Sequence, residues 1–441
     1  MREDCIECTF EDLLDYEQPT KYIVRSTKYS DTHKTPVLTA GKSFIKGYTN
    51  ETDGIFDELP TIIFDDFTTA TQFVDFPFKV KSSAMKILVP TSKLVNMKFV
   101  YNCIQVNQVR NDTHKRYWIS VYAKKKILLP SLVEQNAILS KTEELFSDLD
   151  NGIANFKKAK DQLKIYRQAV LKKAFEGGFT NENVEEGELP KGWEEKRVSE
   201  IANTFGGFAF KSSDFLETGN YQVLRMGNVR PGVIRFNESP VFLNELSEQM
   251  LNKALLKIDD VIITQTGTKG KRDYGFSVLI NKPNLLLNQR IAAIRCKDKN
   301  NPKYLLYFTW TDAFKNQFFA NETGNVGQGN VGMKAVTDTL ILVPPTTPEQ
   351  AQIVQEIEFR LSVCDKMEQS INESIEKSQA LRQSILKKAF EGKLLSHAEI
   401  ELCKKEADYE PASELLKKIQ AEKLAKEQVK KKPSIKKKGK K

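Results

Sequence analysis

Two long stretches of the sequence carry apolar residues at alternating spacings of three and four. The first has Ile138, Leu145, Leu149, Phe156, Leu163, Tyr166 and Val170, with Gly152 and Ala159 in the same seam. The second has Ile353, Ile357, Cys364, Met367, Ile371, Leu381 and Ile385 and is interrupted by Arg360, Ser374 and Ser378. This spacing predicts helices that pack along a seam against a partner helix. Each stretch continues for about 43 residues with hardly any helix breaker, which corresponds to roughly 65 Å.

The two stretches are copies of each other. Residues 167–177 read RQAVLKKAFEG and residues 382–392 read RQSILKKAFEG, at an offset of 215 residues that holds without a gap back to Pro130 and Pro345. A repeat of this length indicates duplication. Gly177 and Gly392 stand where a left-handed helix C-cap is expected. Two helices of equal length, each after a globular segment, are expected to pair antiparallel and to hold the two segments apart.

The segments before the helices have short β-rich runs between Gly, Asn, Asp and Pro turns. VIITQTGTKGKRDYGFSVLI at 261–280 predicts a strand, a basic turn and a strand. TIIFDDFTTATQFVDFPFKV at 61–80 predicts the same arrangement with a polar Thr/Gln tip. The predicted fold class is therefore α/β (α+β), with two globular domains separated by two long antiparallel coiled-coil helices in a pseudo-twofold repeat.

The pattern also predicts boundaries along the chain. They are a globular domain at 1–130, a helix at 131–178, a globular domain at 188–345, a helix at 346–395, a helical segment at 396–428 and a disordered lysine-rich tail at 429–441. The net charge of +9 depends on the last twelve residues, KKKPSIKKKGKK, which hold eight lysines. The rest of the chain is nearly neutral, so overall charge is not an argument for nucleic-acid binding.

Polar and basic residues gather in loops of both globular segments, chiefly 65–72, 107–117, 264–274 and 323–334. Arg and Lys pair with guanine edges or phosphates, and Asn and Gln can bond adenine bidentately. Each loop taken singly fits a solvated loop at least as well, but their occurrence on both segments favours a DNA surface. The candidate DNA-binding residues are Thr68, Thr69, Thr71, Gln72, Arg110, His114, Lys115, Arg116, Arg225, Asn228, Lys269, Lys271, Arg272, Asn325, Gln328, Asn330 and Lys334.

Motifs for catalysis and cofactor binding are missing. TAGKS at 39–43 resembles the end of a phosphate-binding loop, but Pro36 stands where its first glycine belongs. No dinucleotide-binding GxGxxG motif follows a strand. The sequence has three histidines, far apart from one another, so it offers few candidates for a Ser-His-Asp triad. Cys5 and Cys8 lack the second ligand pair of a zinc site, so free thiols are expected. We expect no catalytic residue, no metal and no cofactor bound by this chain.

The sequence also bears on location. No apolar run approaches the ~20 residues that cross a bilayer. The N-terminus, MREDCIECTFEDLL, is acidic and has no apolar signal core. The expected location is therefore the cytoplasm, with no membrane partner.

The order of domain, helix with RQxxLKKAFEG, domain and second such helix resembles specificity (S) subunits of Type I restriction–modification enzymes along nearly the whole chain. LPKGWEEKRVSEIA at 189–202 resembles the opening of a target-recognition domain, and TLILVPPTTPEQAQIV at 339–354 resembles its exit into the spacer helix. PVLTAGKSFIKGYTNETDGIF at 36–56 resembles a common first-domain variant, and EPASELLKKIQAEK at 410–423 resembles the tail of many members.

One departure is visible, because the first domain lacks the Pro-x-Gly-Trp opening that precedes the second. In this family the C-terminal part often completes the first repeat by circular symmetry. The resemblance therefore implies that residues 393–425 pack beside the N-terminus.

The resemblance implies a non-catalytic DNA specificity subunit of a host-defence restriction system. Each target-recognition domain would read one half of a split sequence in double-stranded DNA. The helices would set the gap and dock two methyltransferase subunits. Restriction/translocase subunits would join that core, and S-adenosylmethionine, ATP and Mg would be used by the partner subunits. Two alternatives stay open: a methylation-only complex, and a coiled-coil scaffold whose modules bind protein or RNA.

Overall fold

The computed structural model describes residues 4–41, 43–109, 116–181, 188–297, 299–325 and 327–431. Contacts divide the chain into two compact units. The first unit consists of Met1–Asn155 with Ser374–Lys441, and the second is Phe156–Glu373. The predicted contact residues Arg110, His114 and Lys115, and positions 432–441 of the predicted lysine-rich tail, lie outside the described residues.

The first unit holds a module of short strands and helices, which we call the first module. Its elements are β1 (Ile6–Thr9), α1 (Phe10–Leu13), β2 (Leu14–Glu17), β3 (Thr35–Leu38), β4 (Ile45–Thr49), β5 (Thr61–Asp65), β6 (Thr71–Val74), β7 (Lys79–Val80), β8 (Met85–Pro90), α2 (Met97–Val106) and β9 (Lys126–Leu129). They form a β1-β9 pair, a sheet of order β2-β8-β5-β6 and a sheet of order β4-β3-β7. Strands β3 and β7 run parallel, and the other pairs are antiparallel.

The second unit holds the second module. Its elements are β10 (Glu194–Arg197), α4 (Val198–Ile201), β11 (Ala202–Gly206), β12 (Tyr221–Leu224), β13 (Val229–Arg230), β14 (Val233–Ile234), β15 (Phe242–Leu243), α5 (Glu248–Ala254), β16 (Val261–Thr264), β17 (Thr266–Gly267), β18 (Ser277–Leu279), β19 (Leu285–Leu287), β20 (Ile291–Cys296), α6 (Pro302–Thr309), α7 (Asp312–Ala320), β21 (Gly329–Asn330), α8 (Lys334–Thr337) and β22 (Leu340–Val343). The long helices and the C-terminal helices are α3 (Leu132–Phe175), α9 (Thr347–Phe390), α10 (His397–Cys403) and α11 (Ala412–Lys431).

The sheets of the second module repeat those of the first. A β10-β22 pair, a sheet of order β11-β20-β16-β18 and a sheet of order β15-β12-β19 correspond to the three sheets of the first module, and β12 and β19 again run parallel. The hairpins predicted at 61–80 and 261–280 are confirmed as the antiparallel pairs β5-β6 and β16-β18. The second module adds two small pairs, β13-β14 and β17-β21.

Burial explains why these runs become strands. Strand β16 reads VIIT and is buried at every position, as expected for a central strand covered on both faces. Strand β5 likewise has four buried residues, and Phe64 packs edge-on against the rings of Trp118 and Tyr122 at centroid distances of 5.5 and 5.0 Å. Each module therefore presents its loops from a rigid sheet.

Helices α3 and α9 end in the same way. Gly177 has φ +80° and Gly392 has φ +72°, which confirms the predicted left-handed caps. Beyond α3 the Gly178 N–H donates to the Lys173 carbonyl at 2.9 Å, and beyond α9 the Lys393 N–H donates to the Lys388 carbonyl at 2.8 Å. Among the described residues, no helix is both long and apolar enough to cross a membrane.

Within the second unit, α3 and α9 run antiparallel. Lys160 donates to Asn372 Oδ1 at 3.1 Å, and Arg167 lies 2.7 Å from Asp365 Oδ1, so later residues of α3 meet earlier residues of α9. In the first unit, Arg382 of α9 lies 2.6 Å from Asp150 of α3.

Two predicted seam residues, Met367 and Leu381, are wrong, since they are 53% and 50% exposed. Tyr166 is 46% exposed, but its side chain hydrogen-bonds Arg360 of α9. The neighbouring residues Arg167, Glu368 and Arg382 contact the partner helix through ion pairs. The seam therefore contains ion pairs as well as apolar contacts. The remaining predicted seam positions are buried or half-buried.

The C-terminal residues complete the first unit. Leu395, Leu415 and Ile419 join the apolar core of the first module. Lys423 Nζ donates to the Glu11 carbonyl at 2.6 Å, and Lys404 lies 3.1 Å from the Asp4 carboxylate. The expected packing of this segment beside the N-terminus is confirmed.

Candidate nucleic-acid interface

In the second module, the structure joins two of the predicted loops. The basic hairpin tip at 268–273 and residues 323–325 and 327–330 of the glycine-rich loop meet where β17 pairs with β21, Thr266 opposite Asn330 and Gly267 opposite Gly329. Lys269 Nζ donates to the Gly324 carbonyl at 2.7 Å across the same junction. The two loops therefore form one surface.

Glu322 clamps this junction. Its carboxylate accepts from the Gly270 N–H at 3.1 Å and from the Tyr274 hydroxyl at 2.7 Å. Burial and this carboxylate raise the pKa of Tyr274, so the hydroxyl remains a donor at neutral pH. A Cβ at Gly329 would lie 2.9 Å from the Lys269 Cα as well as 2.4 Å from Glu322 Oε1, so the close approach of the two backbones requires glycine there.

A third loop joins the surface, the turn Asn288-Gln289-Arg290 between β19 and β20. The Gln265 N–H donates to the Arg290 carbonyl at 3.0 Å, and the Asn288 N–H donates to the Leu224 carbonyl at 3.2 Å. Sequence reasoning missed this turn. The turn could have been found as the sequence Asn-Gln-Arg between two apolar runs, LLL and IAAI. Its amide and guanidinium groups are of the same kind as those on which the other loops were selected.

Two depressions lie side by side on this surface. The amide depression, of about 370 Å³, is lined by Gln265, Thr266, Gln289, Arg290, Gly324, Asn325, Gln328 and Asn330. The arginine depression, of about 460 Å³, is lined by Arg225, Met226, Gly227, Asn228, Arg230, Glu238, Ser239, Asn288, Gln289 and Arg290. Gln289 and Arg290 belong to both, so the two form one continuous polar groove.

The groove contains polar side chains that the fold does not use. Those without a side-chain hydrogen bond or ion pair to any residue that the structure describes are Gln289, Arg290, Asn325, Gln328 and Asn330, all exposed. Beneath them the Thr266 hydroxyl is buried and also has no hydrogen-bond partner in the described chain. Such donors and acceptors are available to a ligand.

Other predicted contact residues are committed to the fold. Asn228 is 3% exposed, and its amide group bonds the Arg225 N–H at 3.0 Å and the Arg235 and Glu238 carbonyls at 3.2 and 2.8 Å. We therefore withdraw Asn228 from the predicted contacts, because no part of its side chain is free for a base.

The remaining predicted contacts of the second module lie nearer its surface. Arg225 is half-buried and donates to the Ser239 carbonyl, and Arg272 donates to Asn316 Oδ1 at 3.0 Å. Lys271 and Lys334 are exposed. Of these four residues, Arg225 lines the groove, and Lys271 and Arg272 belong to the hairpin tip beside it.

The first module brings its predicted loops together in the same way. The Asp66 carbonyl accepts from the Tyr117 N–H at 3.0 Å, and Asp66 Oδ1 accepts from the Trp118 N–H at 2.7 Å, which fixes the 65–71 hairpin tip beside residue 116. Asp66 also lies 3.6 Å from the buried Lys86 ammonium. Thr68 and Arg116 are exposed and Gln72 is half-buried.

Two threonines of this tip face inward. Thr69 and Thr71 are 7% and 8% exposed, and the Thr71 hydroxyl donates to the Thr69 carbonyl at 3.0 Å. We withdraw both from the predicted contacts because they pack inside the hairpin. Phe67, which the sequence did not single out, is instead exposed at the tip.

The thiols of Cys8 and Cys296 are poor nucleophiles. Burial, with nearby carboxylates, raises the pKa of Cys8 and of Cys296 to about 12, so both remain protonated at neutral pH. Among the described residues, no group of three or more His, Cys, Asp or Glu side chains gathers as metal ligands.

Comparison with known proteins places this surface in a family. Residues 190–377 match the family described as Type I restriction modification DNA specificity domain. The specificity subunit of the Type I restriction enzyme EcoR124I/EcoR124II from Escherichia coli is 40% identical over 204 residues, 44% of this chain and 47% of the relative. The EcoKI specificity subunit from E. coli strain K12 is 30% identical over 308 residues, 68% of this chain and 64% of the relative. The chain thus spans about half to just under two thirds of these two relatives.

Solved structures share the fold. A chain from a structure of the assembly and conformational transition of the type I R-M system matches with a TM-score of 0.63 at 15% identity, over 89% of this chain and 99% of that one. The crystal structure of the HsdS subunit from Thermoanaerobacter tengcongensis matches with a TM-score of 0.55 at 16% identity, over 89% and 98%. Residues 190–377 of this chain therefore match a Type I restriction modification DNA specificity domain, and the chain is similar to Type I restriction specificity subunits.

Proposed function

We propose that this chain is the non-catalytic DNA specificity subunit of a Type I restriction–modification complex, with each module reading one half of a split sequence. The observation that carries the proposal is the polar groove of the second module. Its side chains have donors and acceptors that the fold leaves unused, and base edges in the major groove present the complementary pattern. The groove lies within the matched DNA specificity domain.

The first module reads the other half with different chemistry. Its hairpin tip presents Phe67 and Thr68, where the second module presents Lys269 and Lys271. The phenylalanine ring and the threonine methyl group can contact the methyl group of thymine, whereas lysines contact phosphates or guanine. Two modules that share one strand order but differ in the side chains of their hairpin tips are suited to a split DNA sequence whose two halves differ.

The long helices set the gap between the half-sites and dock methyltransferase subunits. Apolar side chains on the outer faces of both helices support docking. In the second unit they include Ile165 of α3, which is 71% exposed, with Phe359 and Val363 of α9. Ile165 also lines a groove of about 640 Å³ whose other walls include Phe308 and Leu342. Exposed apolar surface of this kind marks a protein interaction site.

The chemistry belongs to the partners. S-adenosylmethionine is used by the methyltransferase subunits, and ATP and Mg by the restriction/translocase subunits, while this chain binds none of them. A complex that only methylates would use the same chain without the restriction subunits.

The test is adenine-methylation mapping of a whole genome in cells that express this chain with its cognate methyltransferase subunit. The proposal predicts methylation at one split motif and tight binding of a duplex that carries it. An assembled complex that methylates no motif and binds all duplexes alike would refute DNA specificity. That outcome would favour the scaffold whose modules bind protein or RNA.

A further inference from the structure

We propose that Arg290 reads one guanine of the half-site that the second module recognises. This inference rests on the proposed function and deepens it, since it names a residue and a base. Arg290 was not among the contacts predicted from the sequence, and it stands where the amide depression and the arginine depression meet.

The backbone holds Arg290 in a fixed position. It directly precedes β20, a buried strand between β11 and β16. Its own carbonyl accepts from the Gln265 N–H at 3.0 Å, and the Ile291 N–H donates to the Asn288 carbonyl at 3.1 Å, which closes the turn. A Cβ at Gly207 would lie 2.0 Å from the Asn288 carbonyl oxygen, so the turn also packs tightly on the backbone directly after β11. A side chain that reads a nucleobase must be held by a rigid backbone of this kind.

The guanidinium of Arg290 is free while its neighbours are committed. Of the arginines that line the groove, Arg225 donates to the Ser239 carbonyl and Arg230 donates to the Val229 carbonyl. The Arg290 guanidinium has no hydrogen bond, ion pair or ring contact with the described part of the chain. The nearby Glu238 carboxylate is engaged by Arg235 at 3.2 Å and does not neutralise it.

The surroundings of Arg290 favour a base edge over a phosphate. A phosphate only accepts hydrogen bonds and attracts lysines, but the groups beside Arg290 are amides that both donate and accept. These amides belong to Gln289, Asn325 and Asn330. Of the two lysines of the hairpin tip, Lys269 donates to the Gly324 carbonyl, and Lys271 does not line either depression. The buried, unpartnered Thr266 hydroxyl adds a further donor and acceptor beneath them.

Arginine supplies two parallel N–H donors, and guanine presents O6 and N7 as two acceptors in the major groove. No other base edge there offers two acceptors to one side chain, so a free guanidinium in this polar groove selects guanine. The amides at its sides are suited to the adjacent base pairs.

The test uses the complex of the full chain with its cognate methyltransferase subunit and maps adenine methylation for the parent, Arg290→Gln and Arg290→Lys. We expect one G·C pair of one half-site to become degenerate in Arg290→Gln, with discrimination falling on the order of ten- to a hundredfold, while the other half is unchanged. Arg290→Lys should retain part of the discrimination. Melting temperatures should stay the same, because the side chain supports no internal contact.

Lys271→Gln is the matched control, since Lys271 is exposed on the same surface. It should lower methylation at all sites alike and leave the motif intact. The same behaviour in Arg290→Gln, or an unchanged motif with unchanged extent, would overturn the assignment to a guanine. A parent complex that assembles but selects no motif would instead overturn the proposed function and this inference with it.

A second measurement covers the case in which Arg290→Gln methylates nothing. The parent complex is given duplexes in which each guanine of the half-site is replaced singly by 7-deazaguanine, which lacks the N7 acceptor. Replacement at one position should weaken duplex binding by roughly tenfold. The same replacement should weaken binding by the Arg290→Lys complex less. Equal binding of all these duplexes, or a half-site without a G·C pair, would refute the proposal.

Discussion

At the scale of the residue, two asparagines of the second module have opposite roles. Asn228 is buried and bonds three backbone groups, while Asn330 is exposed in the groove. Asn228→Ala should lower the free energy of unfolding by about 1–3 kcal/mol, because buried backbone groups lose their partners. Asn330→Ala should change it by less than about 0.5 kcal/mol but weaken DNA binding. Denaturant unfolding with duplex binding checks both, and equal destabilisation by the two variants would contradict this division.

Sequence reasoning could identify which residues have suitable chemistry but not which are available. Thr69, Thr71 and Asn228 have the right groups, yet packing against their own loops removes them from the surface. Gln289 and Arg290 were missed because a three-residue turn between apolar runs resembles an ordinary connection. Only long-range pairing, such as that of Gln265 with Arg290, brings the turn to the groove.

At the scale of the element, the repeated helices carry equivalent cross-helix ion pairs. Arg167 meets Asp365 in the second unit, and Arg382 meets Asp150 in the first. Each pair joins the arginine of one RQxxLKKAFEG copy to the corresponding aspartate of the other helix. A double-mutant cycle on Arg167→Ala and Asp365→Ala should give a coupling of roughly 0.3–1 kcal/mol, as for other partly exposed ion pairs. If the losses in free energy of unfolding of the two single variants simply add up in the double variant, the ion pair does not stabilise the helix contact.

The docking of α10 on α3 should depend on pH. Lys141 Nζ donates to the Glu399 carboxylate at 2.6 and 2.8 Å, and Ser396 bonds it too, which lowers the pKa of Glu399 to about 2. A carboxyl whose folded pKa is depressed stabilises the fold above its ordinary pKa, and this contribution is lost as pH falls from about 4.5 towards 2. Glu399→Gln should therefore lower Tm at neutral pH, and the difference from the parent should shrink through that window.

Glu406→Gln is the control for this pH series, because Glu406 is exposed on the same segment. It should leave Tm nearly unchanged across the window. A Glu399→Gln difference that stays constant down to pH 2 would show that the lysine contact does not depend on the carboxylate charge.

The ends and repetition of the helices could be predicted, because long runs without helix breakers and terminal glycines are local features. The seam was predicted only in part. Hydrophobicity selected Met367 and Leu381, but the adjacent Glu368 and Arg382 form the cross-helix contacts. A pattern that counts only apolar residues cannot recognise an ion-paired seam position.

At the scale of the whole molecule, the duplication could be recognised from the sequence, and the two modules do share one strand order. The packing of the C-terminal segment on the N-terminal module could not be worked out from local patterns. Lys423 and Glu11 are 412 residues apart, and no periodicity links them. The resemblance to a family supplied that expectation instead.

The central claim is that each module reads its own half of a split sequence, and a module swap tests it most directly. Residues 190–345 would be replaced by the corresponding residues of a relative with a different motif, and adenine methylation would be mapped with the cognate methyltransferase subunit. Two apolar cores of the second module lie wholly within the exchanged residues, and the third also contains residues of α3 and α9. With a relative chosen to share those helix residues, the chimaera should assemble, change one half of the motif and retain the other half and the gap. A change in both halves, or in neither, would contradict the account.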